Sequence, residues 1–159
     1  MKINFCVNRT LTLIIGLMLM APVVCHADGS SQAKILEIKG PEAMFMKTGT
    51  TEWAKLDPAA ILEEGDSIKT GPSTQVRIEC MGNAKTAELL VRQETEFKFT
   101  TFRHDEGEKV DNTLLNVGVG SVLVKAEKLV GGSKFEVKTP TSIVGIRGTI
   151  FEVHVPKTE

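Results

Sequence analysis

The chain has no tyrosine and one tryptophan, and only 5% of its residues are aromatic. Sugar-binding surfaces stack pyranose rings on exposed aromatic platforms, so a carbohydrate role would rest on Trp53, for which a place in the core is the favoured reading. Basic residues are nowhere gathered into a run of five or more. Phosphate backbones demand a concentrated basic patch, which argues against a nucleic-acid partner. Long apolar runs are equally scarce. The longest, Leu11 to Val24, is about 14 residues, short of the roughly 20 that a membrane-spanning helix needs.

That run has a different meaning. Lys2 and Arg9 precede it, Pro22 interrupts its end, and Cys25-His26-Ala27 follows. A charged start, an apolar middle and a small residue at the end are the pattern of a secretory signal peptide. We read residues 1–27 as that signal, with cleavage after Ala27 and a periplasmic or secreted product that retains no membrane span. Cys25 is a candidate for a lipid anchor, but Pro22, Val23 and Val24 do not fit the lipobox pattern. Without the signal, 17 basic side chains face 20 acidic ones, a net charge of −3. The remaining length, about 132 residues, suits one domain with a real core.

Cysteine is also sparse. Cys6 and Cys25 lie in the signal, which leaves Cys80 without an internal disulfide partner. Packing must then supply the stability. Cys80 continues the alternation of Val76 and Ile78, as a small buried hydrophobe would; the competing reading is an intermolecular thiol or a nucleophile, although no nearby His or basic residue would activate it.

What the chain does have is short alternating segments separated by turn residues. Ile35 to Ile38, Ala43 to Met46, Val76 to Cys80, Ala87 to Val91, Phe97 to Phe99, Leu115 to Val124 and Phe135 to Val137 all read as strands. Gly118 and Gly120 punctuate one of them, as expected at a bulge or close backbone approach. Asp57-Pro58 followed by Gly65 suggests a single helical turn over Pro58 to Glu64. Arg103 to Lys109 is charged and aperiodic, and reads as an exposed loop. About ten short strands and almost no helix predict an all-β domain. A compact twisted β-sandwich and a short solenoid-like β-roll both fit, and the recurring glycine corners favour the roll.

The stretch from Lys138 to Val155, KTPTSIVGIRGTIFEVHV, organises the C-terminal half. Thr139 before Pro140 is pushed toward extended geometry, and Pro140 has no N–H for a ladder. Gly145 and Gly148 bracket Ile146 and Arg147, where positive φ or a close approach is expected. Thr149, Phe151, Val153 and Val155 then alternate with Ile150, Glu152 and His154, which gives a closing strand with one apolar face. Arg147, with five donors in a rigid fork, either ties strand ends together or contacts an anion or partner.

The segment TPTSIVGIRGT followed by an apolar strand resembles the C-terminal signature of FecR-type domains. Gly65-Asp66 before Thr70-Gly71, Gly120-Ser121-Val122, Phe135-Glu136-Val137 and Thr139-Pro140 extend the resemblance over residues 34–155, most closely from Val122 to Val153. The resemblance marks Thr139, Pro140, Gly145, Arg147, Gly148, Thr149 and Phe151 as family-motif positions of structural character. It implies a non-catalytic envelope module that binds, scaffolds or assists signalling, with a link to iron–siderophore signalling through TonB-dependent receptors. The cytoplasmic anti-sigma segment and membrane helix of full-length family regulators are replaced here by a signal. The expected partner is another envelope protein; the alternative is a glycan- or cell-surface-binding adhesin-like module.

Catalytic signals are weak. His104 and His154 are the histidines beyond the signal, and neither Ser nor Cys sits in a nucleophile motif. His104 with Asp105, Glu106 and Glu108 fits neither a calcium loop nor a zinc pair. No catalytic residue, metal ligand or cofactor is assigned.

Overall fold

The computed structural model describes residues 29–82, 84–129 and 131–157. The expected signal peptide, with Cys25, lies outside them. Thirteen strands are present among the described residues, with no helix, so none is available to cross a membrane. In chain order they are β1 (Gly29–Ser30), β2 (Gln32–Lys39), β3 (Ala43–Met46), β4 (Ala54–Lys55), β5 (Ile61–Leu62), β6 (Ser67–Thr70) and β7 (Gln75–Met81). They continue with β8 (Lys85–Val91), β9 (Glu96–Asp105), β10 (Val110–Ala126), β11 (Lys134–Lys138), β12 (Ile143–Ile146) and β13 (Ile150–Val155).

The all-β expectation holds, in the form of one open sheet that curls over itself. Its main path runs β4-β3-β6-β9-β10-β8-β7-β2-β5. Adjacent strands are antiparallel except for β10 and β11, which are parallel. The centre is β10, a 17-residue strand where short segments were expected. Its first half lies between β9 and β11, and its second half between β8 and β13. One strand therefore belongs to both halves of the sheet, and the inner faces of the two halves meet in one apolar core.

The bend that makes this possible sits at Gly120. Opposite it, β8 ends and β9 begins, so two consecutive strands run along β10 with a kink at residues 92–95. Gly120 has φ +95°, and a Cβ there would lie 2.6 Å from the Glu94 carbonyl oxygen and collide with Thr95 Cα. Only glycine lets the two backbones approach this closely. Thr95 is fully buried, and its hydroxyl accepts the Ser121 N–H at 2.9 Å. Glu94 itself adopts positive φ (52°).

The same device occurs a second time. Gly40, at φ +107°, packs against Ser73 and Thr74, with Ser73 at φ 54°. Buried Thr74 accepts the Glu42 N–H at 3.2 Å and donates to the Pro72 carbonyl; Thr95 donates in the same way to the Gln93 carbonyl at 3.1 Å. The two corners are joined side by side, because Thr70 N–H bonds the Thr95 carbonyl and Thr95 N–H bonds the Thr70 hydroxyl.

Period-2 reading places the core correctly. Val76, Ile78 and Cys80 point inward from β7, and Ala87, Leu89 and Val91 from β8. In β9 the alternation slips: Phe97, Phe99 and Phe102 are all buried because Thr100 has no opposite number across from Leu114 and Leu115. An extra residue in one strand reverses the facing of everything after it. The three rings form a chain, with centroids 5.3 Å apart between Phe97 and Phe99 and 5.0 Å between Phe99 and Phe102.

Two local expectations need correction. Pro58 to Glu64 is not helical: Asp57 caps a turn, accepting the Ala59 N–H at 2.7 Å, and then Ile61–Leu62 pairs with β2 as β5. A segment of this length gains too few helical bonds to offset nucleation, while pairing buries Leu62 completely. The charged stretch from Arg103 is a loop only in part, since β9 continues through Asp105 and a tight turn follows to Lys109.

Polar ties hold the first half of the sheet. The carboxylate of Asp66, with no exposed surface, accepts N–H groups from Thr48 (2.9 Å) and Glu63 (3.0 Å) and the Lys47 ammonium (3.1 Å). Glu64 takes a forked contact from Arg103 and also accepts the Phe102 N–H at 3.0 Å. Hydrogen bonding to Arg103, reinforced by the Phe102 amide, holds the Glu64 carboxyl below the usual carboxylate range.

Two measurements follow from these contacts. Gly120→Ala should cost about 2 kcal/mol or more in urea denaturation, since it imposes both a left-handed φ and a backbone collision. Gly145→Ala, in open space at ordinary φ, should change stability by less than about 0.5 kcal/mol. The depressed Glu64 carboxyl stabilises the fold fully above its unfolded value near 4.5 and loses that contribution as pH falls through the folded value. Glu64→Gln should therefore lower stability at neutral pH and flatten its decline below about pH 4.5, as followed by melting temperature against pH.

Candidate functional site

The C-terminal corner lies where the motif positions converge. Thr139 is buried, and its hydroxyl accepts the Ser142 N–H at 3.0 Å, which closes the turn that carries Pro140. That turn joins β11 to β12, paired through Phe135 opposite Ile146 and Val137 opposite Val144. Gly148 has φ +73°, as expected, and passes Lys128. Gly145 does not meet its expectation: it is an ordinary strand residue with open space where a Cβ would be. The Arg147 side chain is exposed and donates from Nη2 to the Gly131 carbonyl at 2.9 Å, which links the corner to the turn before β11. Thr149 gives its carbonyl to the Ala126 N–H at 3.1 Å, and Phe151 packs half-buried against the core.

Alternation alone did not reveal that β12 is an outer strand. Among the described residues it pairs with β11 and nothing else. The Thr139 N–H bonds the Ser142 carbonyl, so in the alternating ladder residues 142, 144 and 146 turn their backbone groups toward β11. Ile143 and Gly145 turn theirs outward. The side chains at the corner are apolar and uncovered: Ile143 is 62% exposed, Val144 39% and Ile150, at the start of β13, 65%.

A second candidate is the groove at the Gly120 corner, about 670 Å³ in volume. Thr70, Thr95 and Gly120 line it together with Arg92, Ser121 and His154. Arg92 is bound to Glu152 at 2.6 Å, and Ser121 Oγ lies 2.6 Å from His154 Nδ1. No orienting carboxylate contacts the other side of this imidazole among the described hydrogen bonds, so the pair lacks the third member of a triad. Acids and bases interleave along the groove, and no buried side-chain polar atom among the described residues lacks a partner.

The other singled-out residues are dispersed. His104 bonds Asp111 at 2.9 Å rather than any of its acidic sequence neighbours. Among the described residues no group of three or more His, Cys, Asp or Glu is placed to hold a metal ion. Trp53, for which the core was favoured, is half-buried at the surface, with the Lys69 ammonium 5.9 Å from its ring centroid. Cys80 is fully buried, and burial pushes its thiol pKa far up.

No family model, curated protein or solved structure matches the chain. Fold and site together define an all-β sheet with an apolar outer strand among the described residues. The burial of Cys80 has a direct readout: the native protein should not react with a water-soluble disulfide reagent, whereas the urea-unfolded chain should release one equivalent per Cys80 at the ordinary rate of a free thiol.

Proposed function

We propose that the chain is an exported, non-catalytic binding module of FecR type that engages another envelope protein through the C-terminal corner. The observation that carries this reading is the outer strand β12, with outward-facing backbone groups at Ile143 and Gly145 and exposed apolar side chains beside them. Sheets with such an edge accept a further strand from a partner. The resemblance around TPTSIVGIRGT falls on the same residues, and the signal pattern of residues 1–27 directs the chain to the envelope. A role in iron–siderophore signalling would follow from the family resemblance. The solenoid-like form of the roll is favoured by the repeated corner, a 21-residue step from Thr74 to Thr95.

A second reading, sugar binding through Trp53, gains from the surface position of that ring, although Lys69 covers part of it. One experiment tests both. The full chain is expressed in a host with an envelope, with a photo-crosslinking residue at position 143 or, as control, at exposed Glu106. The binding-module reading expects a chain shortened at its N-terminus, recovered outside the cytoplasm, that crosslinks to protein from position 143 and not from 106. An unprocessed cytoplasmic chain, or equal labelling from both positions, would overturn it. Capture that disappears after enzymatic removal of glycans would favour the Trp53 reading instead.

A further inference from the structure

The edges of this sheet are not alike. β4 and β5 are two residues long, and β13 presents Glu152 and His154 outward. Short length and charge are the usual guards against unwanted strand pairing. β12 has neither a charge nor a proline, and Gly145 leaves bare backbone on its outer face. The segment that carries it is rich in bases. Residues 125–149 hold five basic side chains, Lys125, Lys128, Lys134, Lys138 and Arg147, against Glu127 and Glu136, in a mature chain of net −3. None of the five is in an ion pair among the described residues.

Their placement follows from the register. Lys138 lies directly opposite Ile143 at one end of the edge, and one step beyond the other end Lys134 comes opposite Arg147. Glu136, half-buried, lies opposite Gly145 in the middle. The edge thus reads cationic, neutral to acidic, cationic along its length.

We propose that β12 accepts, as an added strand, an extended segment of another protein that is acidic at both ends and apolar at its centre. This rests on the binding-module reading and specifies the partner's chemistry. Backbone groups of Ile143 and Gly145 supply the ladder, Ile143 and Val144 supply apolar contact, and the end cations select the acidic flanks. A second copy of this chain is a poor occupant: antiparallel pairing of β12 with itself brings Lys138 and Arg147 of each copy together at both ends, where like charges repel.

The test uses purified protein and two synthetic nine-residue probes with alternating valine and threonine at the centre, one with two glutamates at each end, the other with two lysines. Fluorescence anisotropy should show the acidic probe binding at least about tenfold tighter, with the preference shrinking as salt screens the end charges. Methylating the acidic probe's backbone nitrogens should abolish binding. Gly145→Pro removes an outward N–H but no bond to β11, and should cut binding at least about tenfold with the melting temperature kept. Should that variant unfold, the pair Lys134→Glu and Lys138→Glu serves instead, and should invert the preference between probes. Equal affinity for the two probes, no binding of either, or undiminished binding by folded Gly145→Pro would overturn the proposal. So would a dimer in sedimentation that Gly145→Pro dissolves, since the second copy would then be the occupant. Envelope crosslinking from position 143 alongside any of these failures would leave the binding-module reading standing with a different partner chemistry.

Discussion

The fold depends on two strands being able to touch at Gly120. With φ +95° and the Glu94 and Thr95 backbone pressed against it, β10 bends there as its pairing passes from β9 to β8. A 17-residue strand that could not bend would give a flat sheet with both faces wet. Once bent, its two halves bring β9 and β11 round to face β8 and β13, and the residues between them lose contact with water. Burial of that apolar surface supplies the main driving force, but it becomes available only because one position lacks a Cβ. The matching contact of Gly40 with Ser73 and Thr74 gives the neighbouring strand pairs the same bend, so the curl continues through the sheet.

The threonines explain why the corners are single-valued. Thr74 and Thr95 are fully buried, and each hydroxyl takes up an N–H freed where the ladder is interrupted. An unpaired buried amide would cost free energy comparable to a lost hydrogen bond. Glycine permits the approach, and threonine satisfies the groups that the approach strands. Asp66 serves the same purpose at the other end of β6, gathering Thr48 and Glu63 amides around one carboxylate.

At the C-terminal end this economy stops. β12 closes nothing on its outer side, and the turn through Thr139 and Pro140 fixes its register so that Ile143 and Gly145 face outward. Arg147 and Gly148 hold the far end, the one through Gly131 and the other by its passage over Lys128. Structural and binding readings of the motif are therefore compatible: the conformationally restricted residues hold in place an edge that the apolar ones expose.

Much of the core was legible in the sequence, because strand side chains alternate and inward positions must be apolar. Val76, Ile78, Cys80, Leu89 and Val91 could be placed inside from spacing alone, as could the bulge or close approach near Gly118 and Gly120. The helical turn at Pro58 failed because local capping chemistry was weighed without knowing that β2 lay within reach of Leu62. Phe102 was missed because a bulge at Thr100 reverses the phase, and a bulge is a property of two strands. The pairing of His104 with Asp111, of Ser121 with His154 and of Thr70 with Thr95 was not read from the sequence, since each joins neighbouring strands whose register no side chain announces. The sequence by itself determined most of the inward positions of the regular strands and several of the turns, because both are set by side-chain chemistry read one residue at a time. Only the tertiary structure decided which strand would be central, which two corners would stack and which edge would be left open, because backbone hydrogen bonds carry no side-chain label and their partners are chosen by the folded chain.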